Sequence, residues 1–282
     1  MILASDWGSY LGPTGNIILP FAQLKEQGVE CWIFKGGQEV DQPNQKLSTT
    51  KNIAAARAEG VALVGCYYWN DPLVSAQNQI DTYSRLIDAE KPDFIGIDIE
   101  QWWANWDAYM AYVNGTAPQS SVPVKSPQAI SESARWVCYG VHQRFPQMRL
   151  LPYTSNGFVT GWAAPISTWL GVYGDRLVAS WPDYGQPVRY VSWDDLKAYP
   201  PAGSQPALPA PWSSWTIWQT SSRMKPLDFK GTVFDHQYDW NLVNFSTVDE
   251  MKAWAGIGPQ VATLEERVAK LEAEARARGW AV

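Results

Sequence analysis

The stretch FIGIDIE, Phe94 to Glu100, is the part of the sequence around which the predicted fold is organised. It is a short apolar run that ends in two carboxylates. It is rich in β-branched residues and follows a turn-forming Lys91-Pro92-Asp93, a pattern that predicts a buried strand rather than a helix. Side chains two apart in a strand lie on one face, so Asp98 and Glu100 should project together, their Cα atoms roughly 6.6 Å apart. The sequence therefore predicts a pair of acids at the carboxyl end of a buried strand.

Two acids this close change each other's protonation. Each negative charge makes the other harder to form, and aromatic neighbours remove solvating water, so one carboxyl should stay protonated near neutral pH. A protonated acid beside an ionised one is the arrangement that cleaves glycosidic bonds. The alternative is a strand ending in two solvated acids that cap a following helix, and Asp98 and Glu100 alone do not decide between the two.

Composition limits the other function classes. The 282 residues suit one large domain, or one domain with an appendage, and a net charge of −6 without a Lys/Arg cluster excludes a nucleic-acid partner. The 17 Trp and 13 Tyr suit stacking on sugar rings as well as core packing. The cysteines, Cys31, Cys66 and Cys138, have no C-x-x-C spacing and are predicted to be buried thiols; with only two histidines present, no metal or other cofactor is expected.

Strand and helix patterns alternate along most of the chain. Helices are predicted at 21–27, 48–59, 71–89 and 126–145, and strands at 2–6, 29–35, 61–69, 94–100, 148–153, 176–180, 215–219 and 234–239. This alternation predicts an α/β fold, a TIM-like (β/α) barrel of (β/α)5(β)3 type with a helix-poor last third, over residues 1–255.

The working face of such a barrel lies at the carboxyl ends of its strands. Acids and aromatic residues follow the predicted strands there, and their convergence is hard to explain by random solvated turns. They are Asp6, Trp7, Tyr67, Tyr68, Asp98, Glu100, Tyr153, Trp181 and, at the end of the predicted eighth strand, Asp239.

Two further segments have open interpretations. In Gln101–Lys125, residues such as Trp102 and Trp106 fall at helical spacing, so the segment is either a small helix on the barrel rim or a wall of a sugar groove. At 256–282, apolar residues repeat at alternating spacings of three and four, which predicts a coiled-coil helix. That helix either joins copies of the chain into a homo-oligomer or docks on its own barrel.

Taken in order, the motifs resemble those of the glycoside hydrolase family 25 lysozymes, muramidases common among bacteriophage lysins. The likeness covers approximately residues 1–254. The motifs are Ser5-Asp6-Trp7, Gly65-Cys66-Tyr67-Tyr68-Trp69, Gly96-Ile97-Asp98-Ile99-Glu100, Tyr153-Thr154-Ser155-Asn156, Trp218-Gln219-Thr220-Ser221 and Gln237-Tyr238-Asp239-Trp240-Asn241-Leu242.

The resemblance implies a general acid at Glu100, an assisting anion at Asp98, and site-shaping acids at Asp6 and Asp239. The substrate's own N-acetyl group, Asp98 or an inverting water could each be the nucleophile, and the sequence does not choose among them. The residues expected to contact the glycan are Tyr67, Tyr68, Trp7, Tyr153, Trp181, Trp102, Gln219 and Lys35.

The chain also departs from the family. It reads Lys35-Gly36-Gly37-Gln38-Glu39 where the family often has K-A-T-E-G, and Tyr68 where a His is usual, which puts specificity in question more than chemistry.

Three functions remain in competition. The first is a lysozyme that cleaves bacterial peptidoglycan. Lacking a signal peptide and any long apolar span, it would be made in the host cytoplasm and act on the cell wall after release. The second is a chitinase-like N-acetylhexosaminidase, because Asp93, Asp98 and Glu100 half-match the D-x-x-D-x-D-x-E of family 18. The third is a barrel that binds glycan without cutting it.

Overall fold

A computed structural model of the protein describes residues 1–7, 18–37, 43–183, 185–235 and 238–257. Within strand β1 the backbone of Trp7 is described, but its side chain lies outside the described part of the chain. The predicted tail helix at 256–282 lies, beyond residue 257, outside the described residues.

Eight strands close into a barrel, as the sequence predicts. Around the barrel the order is β1-β10-β8-β6-β5-β4-β3-β2. Their bounds are Ile2–Trp7 (β1), Val29–Gly37 (β2), Leu63–Trp69 (β3), Phe94–Asp98 (β4), Arg149–Thr154 (β5), Leu177–Ala179 (β6), Ile217–Ser221 (β8) and Asp239–Val243 (β10), while Arg189–Val191 (β7) and Met224–Pro226 (β9) pair with each other outside the barrel.

Helices surround the barrel, and the longest lie in its first two thirds. In the described part of the last third of the barrel the helices are all short, which confirms the predicted helix-poor portion. Their bounds are Phe21–Glu26 (α1), Pro43–Ala58 (α2), Ala76–Glu90 (α3), Trp106–Val113 (α4), Pro127–Arg144 (α5), Asn156–Trp162 (α6), Trp193–Lys197 (α7) and Val248–Trp254 (α8). None of the helices in the described ranges combines the length and apolarity needed to cross a bilayer.

Helix α3 starts later than the predicted residue 71. Ser75 is its N-cap, and the Ser75 side chain accepts a hydrogen bond of 3.2 Å from the backbone N–H of Asn78. The prediction placed the start at Asp71-Pro72 because an acid followed by proline is a common helix opening. In the structure, Asp71 instead accepts a 2.8 Å hydrogen bond from the backbone N–H of Leu73 and so forms a turn ahead of the helix.

The last barrel strand differs from the prediction in position and direction. The prediction ended it at Asp239, whereas β10 begins at Asp239 and runs to Val243. It pairs antiparallel with both β1 and β8, while the other neighbouring barrel strands pair in parallel. An antiparallel strand presents its amino end at the rim where its neighbours present their carboxyl ends, so Asp239 still reaches the predicted face of the barrel.

Two apolar layers hold the barrel. One lies between the strands and the helices, and the other fills the barrel interior with residues such as Ile33, Leu63, Phe94 and Leu151. The absence of a side chain at Gly65 leaves room for the Phe94 ring, because a Cβ at position 65 would lie only 2.2 to 2.6 Å from ring atoms of Phe94. The three cysteines are free and buried, as predicted.

Candidate active site

A pocket of about 150 Å³ opens at the mouth of the barrel, on the predicted face. Four carboxylates that the sequence singled out line it together, although they come from the two ends and the middle of the chain. The lining consists of Asp6, Asp98, Glu100 and Asp239 with Ile33, Tyr67, Trp69, Tyr153, Leu177, Trp181 and Gln219.

The end of β4 places Asp98 and Glu100 on the same side. The strand ends at Asp98, but the chain stays paired with β5 for one more residue, because Ile99 donates its N–H to the Tyr153 carbonyl over 2.9 Å. The Thr154 hydroxyl donates to the Ile99 carbonyl over 3.1 Å, and the Ile99 side chain is fully buried. With Ile99 held in the core, both acids line the pocket, as alternation along a strand predicts.

Asp98 lies deep in the pocket. Its Oδ1 atom is buried and has no hydrogen-bond partner in the described part of the chain. Burial raises the pKa of Asp98 well above its ordinary value, the Glu100 charge raises it further, and the Lys35 cation lowers it. Asp98 therefore holds a proton far more readily than an exposed aspartate does.

Glu100 is suited to donate a proton near neutral pH. Burial raises the pKa of Glu100 to about 7, and a hydrogen bond with Tyr153 opposes this increase. A carboxylic acid with a pKa near the working pH keeps a proton to give and still releases it readily. These are the properties required of a general acid.

Gln219 of β8 forms hydrogen bonds with side chains of β1, of β5 and of the segment that follows β6. Its Nε2 donates to Asp6 Oδ2 over 3.0 Å, and its Oε1 accepts from Trp181 Nε1 over 2.9 Å and from the Tyr153 hydroxyl. Asn241 donates a second hydrogen bond to the same Asp6 oxygen, over 2.8 Å. These amide hydrogen bonds lower the pKa of Asp6, but burial is the larger effect and raises it to about 7.

Asp239 is the fourth acid of the pocket. Burial raises the pKa of Asp239 well above its ordinary value, and the charges of Asp6 and Glu100 raise it further. The Arg223 cation acts in the opposite direction and lowers the pKa of Asp239. The four acids thus share a water-poor site and disfavour each other's ionisation.

Tyr67 and Tyr68 lie on opposite faces of β3. Tyr67 lines the pocket, as predicted. Tyr68 was also predicted to contact the glycan, and this is wrong, because the residue is fully buried behind the strand and its hydroxyl donates to Glu90 Oε2 of α3 over 2.8 Å. Successive side chains in a strand point to opposite faces, so the neighbour of a pocket residue faces away from the pocket.

Two other predicted contacts lie beside the pocket. The Lys35 ammonium sits over the Trp69 ring, 5.4 Å from its centroid, and burial lowers the pKa of Lys35 while the Asp98 charge raises it. Trp102 is buried in an adjoining groove and stacks on Trp162, with ring centroids 4.3 Å apart.

The prediction missed several residues of the site. Trp69 lines the pocket and Asn241 holds Asp6, yet neither was singled out. Alternation could have found both, since Trp69 lies two residues after Tyr67, and Asn241 two after Asp239. Arg223 carries no comparable signal, because it lies in a bend between β8 and β9.

The adjoining groove has a volume of about 490 Å³ and shares Trp69, Glu100 and Trp181 with the pocket. The segment Gln101–Lys125 combines both interpretations offered for it, since it forms helix α4 and also contributes a wall of this groove. The groove lining is Trp69, Glu100, Trp102, Trp103, Tyr109, Ser155, Gly157, Phe158, Trp162, Ala179 and Trp181.

Asp93, the acid that suggested a chitinase-like motif, lies one residue before β4, at the end opposite the pocket. Its carboxylate accepts from the backbone N–H of Val64 over 2.7 Å and pairs with Arg57 at 3.4 Å. Position 96, where that motif has an acid, has little room, because a Cβ there would lie 3.1 Å from the Tyr67 Cβ. In the described ranges, no group of three or more His, Cys, Asp or Glu residues is arranged to hold a metal ion.

Fold and site together give a closed barrel whose mouth carries four acids around one pocket. Among solved structures, the chain is similar to a family 25 glycosyl hydrolase from Bacillus anthracis, with a TM-score of 0.56 and 15% identity over 92% of this chain and 94% of that one. This likeness confirms the fold that the sequence resemblance implied.

Two endolysin structures also match, each over 86% of this chain and 53% of the other chain, at 14% identity. They are the Cpl-1 endolysin complexed with a peptidoglycan analogue (TM-score 0.46) and the multimodular pneumococcal cell wall endolysin from phage Cp-1 complexed with choline (TM-score 0.47). This chain therefore spans about half the length of these endolysins. No protein-family model and no curated protein matches it.

Proposed function

We propose that this protein is a peptidoglycan hydrolase, an N-acetylmuramidase that cleaves the β-1,4 bond between N-acetylmuramic acid and N-acetylglucosamine. The observation that carries the proposal is the pair Asp98 and Glu100, held side by side in a water-poor pocket by the pairing of Ile99 with β5. The likeness to a family 25 glycosyl hydrolase supports the fold on which this site is built.

In the proposed reaction, Glu100 protonates the oxygen of the leaving sugar, because its raised pKa keeps a proton available near neutral pH. As the bond breaks, positive charge develops at the anomeric carbon, and Asp98 stabilises it in its anionic form, which the Lys35 cation favours against the effect of burial. Asp98 does so by orienting the substrate's N-acetyl group as nucleophile; attack by Asp98 itself and an inverting water remain as alternatives. NMR of the anomer formed first separates the inverting route from the other two.

The surrounding residues have supporting roles. Asp6 and Asp239 add negative potential around the developing charge, and Gln219 with Asn241 fixes the Asp6 carboxylate. Tyr67, Tyr153 and Trp181 line the pocket as contacts for the sugar ring. Lys35 acts through Asp98, whose pKa its cation lowers.

The deciding experiment is digestion of purified peptidoglycan, followed by mass spectrometry of the new reducing ends. Reducing ends at N-acetylmuramic acid support the proposal. New reducing ends at N-acetylglucosamine would indicate a glucosaminidase. Release of sugar from chitin without attack on cell walls would indicate a chitinase-like enzyme. Wall binding without any new reducing end would assign a non-catalytic glycan-binding barrel.

We also propose that the protein is made in the cytoplasm of a bacterial host and reaches the cell wall after release. The heptad pattern at 256–282 is proposed to join copies of the chain into a homo-oligomer. Deleting residues 259–282 should then lower the mass measured by light scattering. An unchanged mass would indicate a helix that docks on its own barrel.

A further inference from the structure

We infer that Gln101 is a positioning residue for Asp98, and that it acts by fixing the Trp69 ring on which the Lys35 cation rests. Gln101 directly follows Glu100 in the chain, yet it lines neither the catalytic pocket nor the adjoining groove. Any effect on the pocket must therefore pass through other side chains. For catalysis, the inference rests on the proposed function, in which Asp98 acts as an anion.

The Gln101 side chain is buried, and both ends of its amide have partners. Its Oε1 accepts from Trp69 Nε1 over 2.7 Å, while its Nε2 donates to Asp71 Oδ1 over 2.9 Å and to the Trp103 carbonyl over 3.4 Å. A buried amide costs free energy unless it is hydrogen-bonded, so these partners favour one orientation of the amide. The amide oxygen therefore holds the indole N–H of Trp69 at a defined point.

The carboxylate that holds Gln101 belongs to the turn ahead of α3. Asp71 Oδ1 also accepts from the backbone N–H of Leu73 over 2.8 Å. The backbone N–H and carbonyl of Asp71 form hydrogen bonds of 2.9 and 2.8 Å with the buried Gln79 side chain. Gln101 is therefore anchored to fixed structure outside the pocket.

Trp69 connects Gln101 to the pocket. It is the Cα partner of Asp98 in the β3–β4 pair, and it lines the pocket. The Lys35 ammonium lies over its ring, 5.4 Å from the centroid. Because the face of an indole ring attracts a cation, the ring orientation set by Gln101 also sets the preferred position of the Lys35 ammonium.

The position of the Lys35 cation matters because Asp98 lies among other acids. Burial and the Glu100 charge raise the pKa of Asp98, and the Lys35 cation lowers it. A ring free to turn would let the cation move towards solvent, and the neighbouring acids would then favour protonation of Asp98. The charged and titratable groups around Asp98 are Asp6 of β1, Lys35 of β2, Tyr67 of β3, Glu100, Tyr153 of β5 and Asp239 of β10.

The substitution Gln101→Met tests this role, because methionine has a similar length and fills the same space without strong hydrogen bonds. In an NMR titration of the aspartate carboxyl carbons, assigned with Asp98→Asn, we expect the pKa of Asp98 to rise by about 0.5 or more. In a Lys35→Met background, Gln101→Met should change that pKa by less than about 0.2, because both substitutions interrupt the same path. Gln128→Met, at an exposed position of α5, is the control and should have no effect.

A measurement on the wild-type protein tests the inference even if Gln101→Met does not fold. The indole N–H of Trp69, identified by its loss in Trp69→Phe, is held by Gln101, whereas Trp106 is 58% exposed. The Trp69 proton should exchange with water about ten-fold or more slowly than the Trp106 proton. Equal exchange rates would overturn the inference, because the ring would then not be fixed.

An unchanged pKa of Asp98 in folded Gln101→Met would also overturn it. So would an equal rise with and without Lys35, because Gln101 would then act on Asp98 by another route. If the wild type cleaves peptidoglycan in either case, the proposed function stands without this inference. If the pKa of Asp98 rises only when Lys35 is present but the wild type cuts no glycan, the positioning role stands and the proposed hydrolysis fails.

Discussion

Asp6 and Asp239 are direct partners across the antiparallel pair that closes the barrel, β1 with β10. Acids directly opposite each other in a sheet destabilise it when both are ionised. Here the Asp6 charge raises the pKa of Asp239, and Gln219 and Asn241 donate hydrogen bonds to Asp6. The strand pair that completes the fold therefore also brings together two of the four acids of the pocket.

The first prediction concerns stability against pH. The folded-state pKa values of Asp6 and Glu100 are about 7, against 3.8 and 4.5 ordinarily, so between about pH 4 and 7 the folded protein keeps protons that the unfolded chain has released. The unfolding free energy therefore falls as pH rises through this window, by an amount on the order of a few kcal/mol. Urea unfolding at intervals from pH 4.5 to 8 measures the slope.

Asp239→Asn should reduce this slope and raise stability at pH 8, because it removes one of the mutually repelling charges. Asp88→Asn makes the same charge change at an exposed position of α3 and should leave the slope as it is in wild type. Stability that increases from pH 5 to 8 in the wild-type protein would contradict the prediction.

The second prediction tests the general acid. Glu100→Gln keeps the size of the side chain and removes its proton donor, so activity on purified walls should fall by about 10² to 10⁴-fold. The melting temperature near neutral pH should change little or rise, because a buried carboxyl with a raised pKa is replaced by a neutral group.

Glu90→Gln is the matched control, because Glu90 is a buried acid, whereas Glu100 is half-buried, and it lies behind β3 with Tyr68 as hydrogen-bond donor. It should keep the wild-type pH profile of activity even if it lowers the melting temperature. Full activity in Glu100→Gln would remove the acid assignment.

The third prediction concerns Lys35. Its cation lowers the pKa of Asp98, so Lys35→Met should raise that pKa and move the acidic limb of the kcat/KM profile to higher pH. The alkaline limb, which we assign to Glu100, should stay near pH 7. Lys25→Met, a change far from the pocket at a side chain that donates to the Glu59 and Gly60 carbonyls, should leave both limbs in place. If the pH profiles of kcat/KM for Lys35→Met and wild type coincide, Lys35 does not act through the pKa of Asp98.

The fourth prediction tests the barrel interior. Gly65→Ala would bring a methyl group within 2.6 Å of the Phe94 ring, so the ring must shift. Overpacking of this kind costs about 1–3 kcal/mol. The substitution Gly161→Ala in α6, where nothing lies within 4 Å of the added Cβ, should be neutral or stabilising. Chemical unfolding compares the two, and equal stability would show that Phe94 adjusts freely.

Local patterns were enough to predict most of the barrel. Runs such as Phe94–Glu100 are apolar, short and bounded by turn residues, so their strands can be placed from neighbouring residues alone. The same alternation puts Asp98 and Glu100 on one side, and the structure has both lining the pocket.

What could not be predicted depends on contacts between distant residues. The direction of β10 follows from its pairing with β1 and β8, more than 230 residues and about 20 residues away, and no local pattern encodes it. Because the direction of this strand could not be predicted, the apolar residues Phe234 and Tyr238 led to a predicted strand that begins too early in the sequence. Tyr68 was assigned to the pocket because two adjacent tyrosines look alike in sequence, although alternation allows only one of them to face it.

Because Asp6 pairs with Asp239, the pocket is assembled from residues 233 positions apart. A ribosome must therefore make nearly the whole barrel before the first and last strands can meet. Until then the nascent chain carries its acids separately and has no site. Proteolysis or truncation before β10 would likewise leave fragments that lack Asp239, so the pocket is complete only when the closing strand is present.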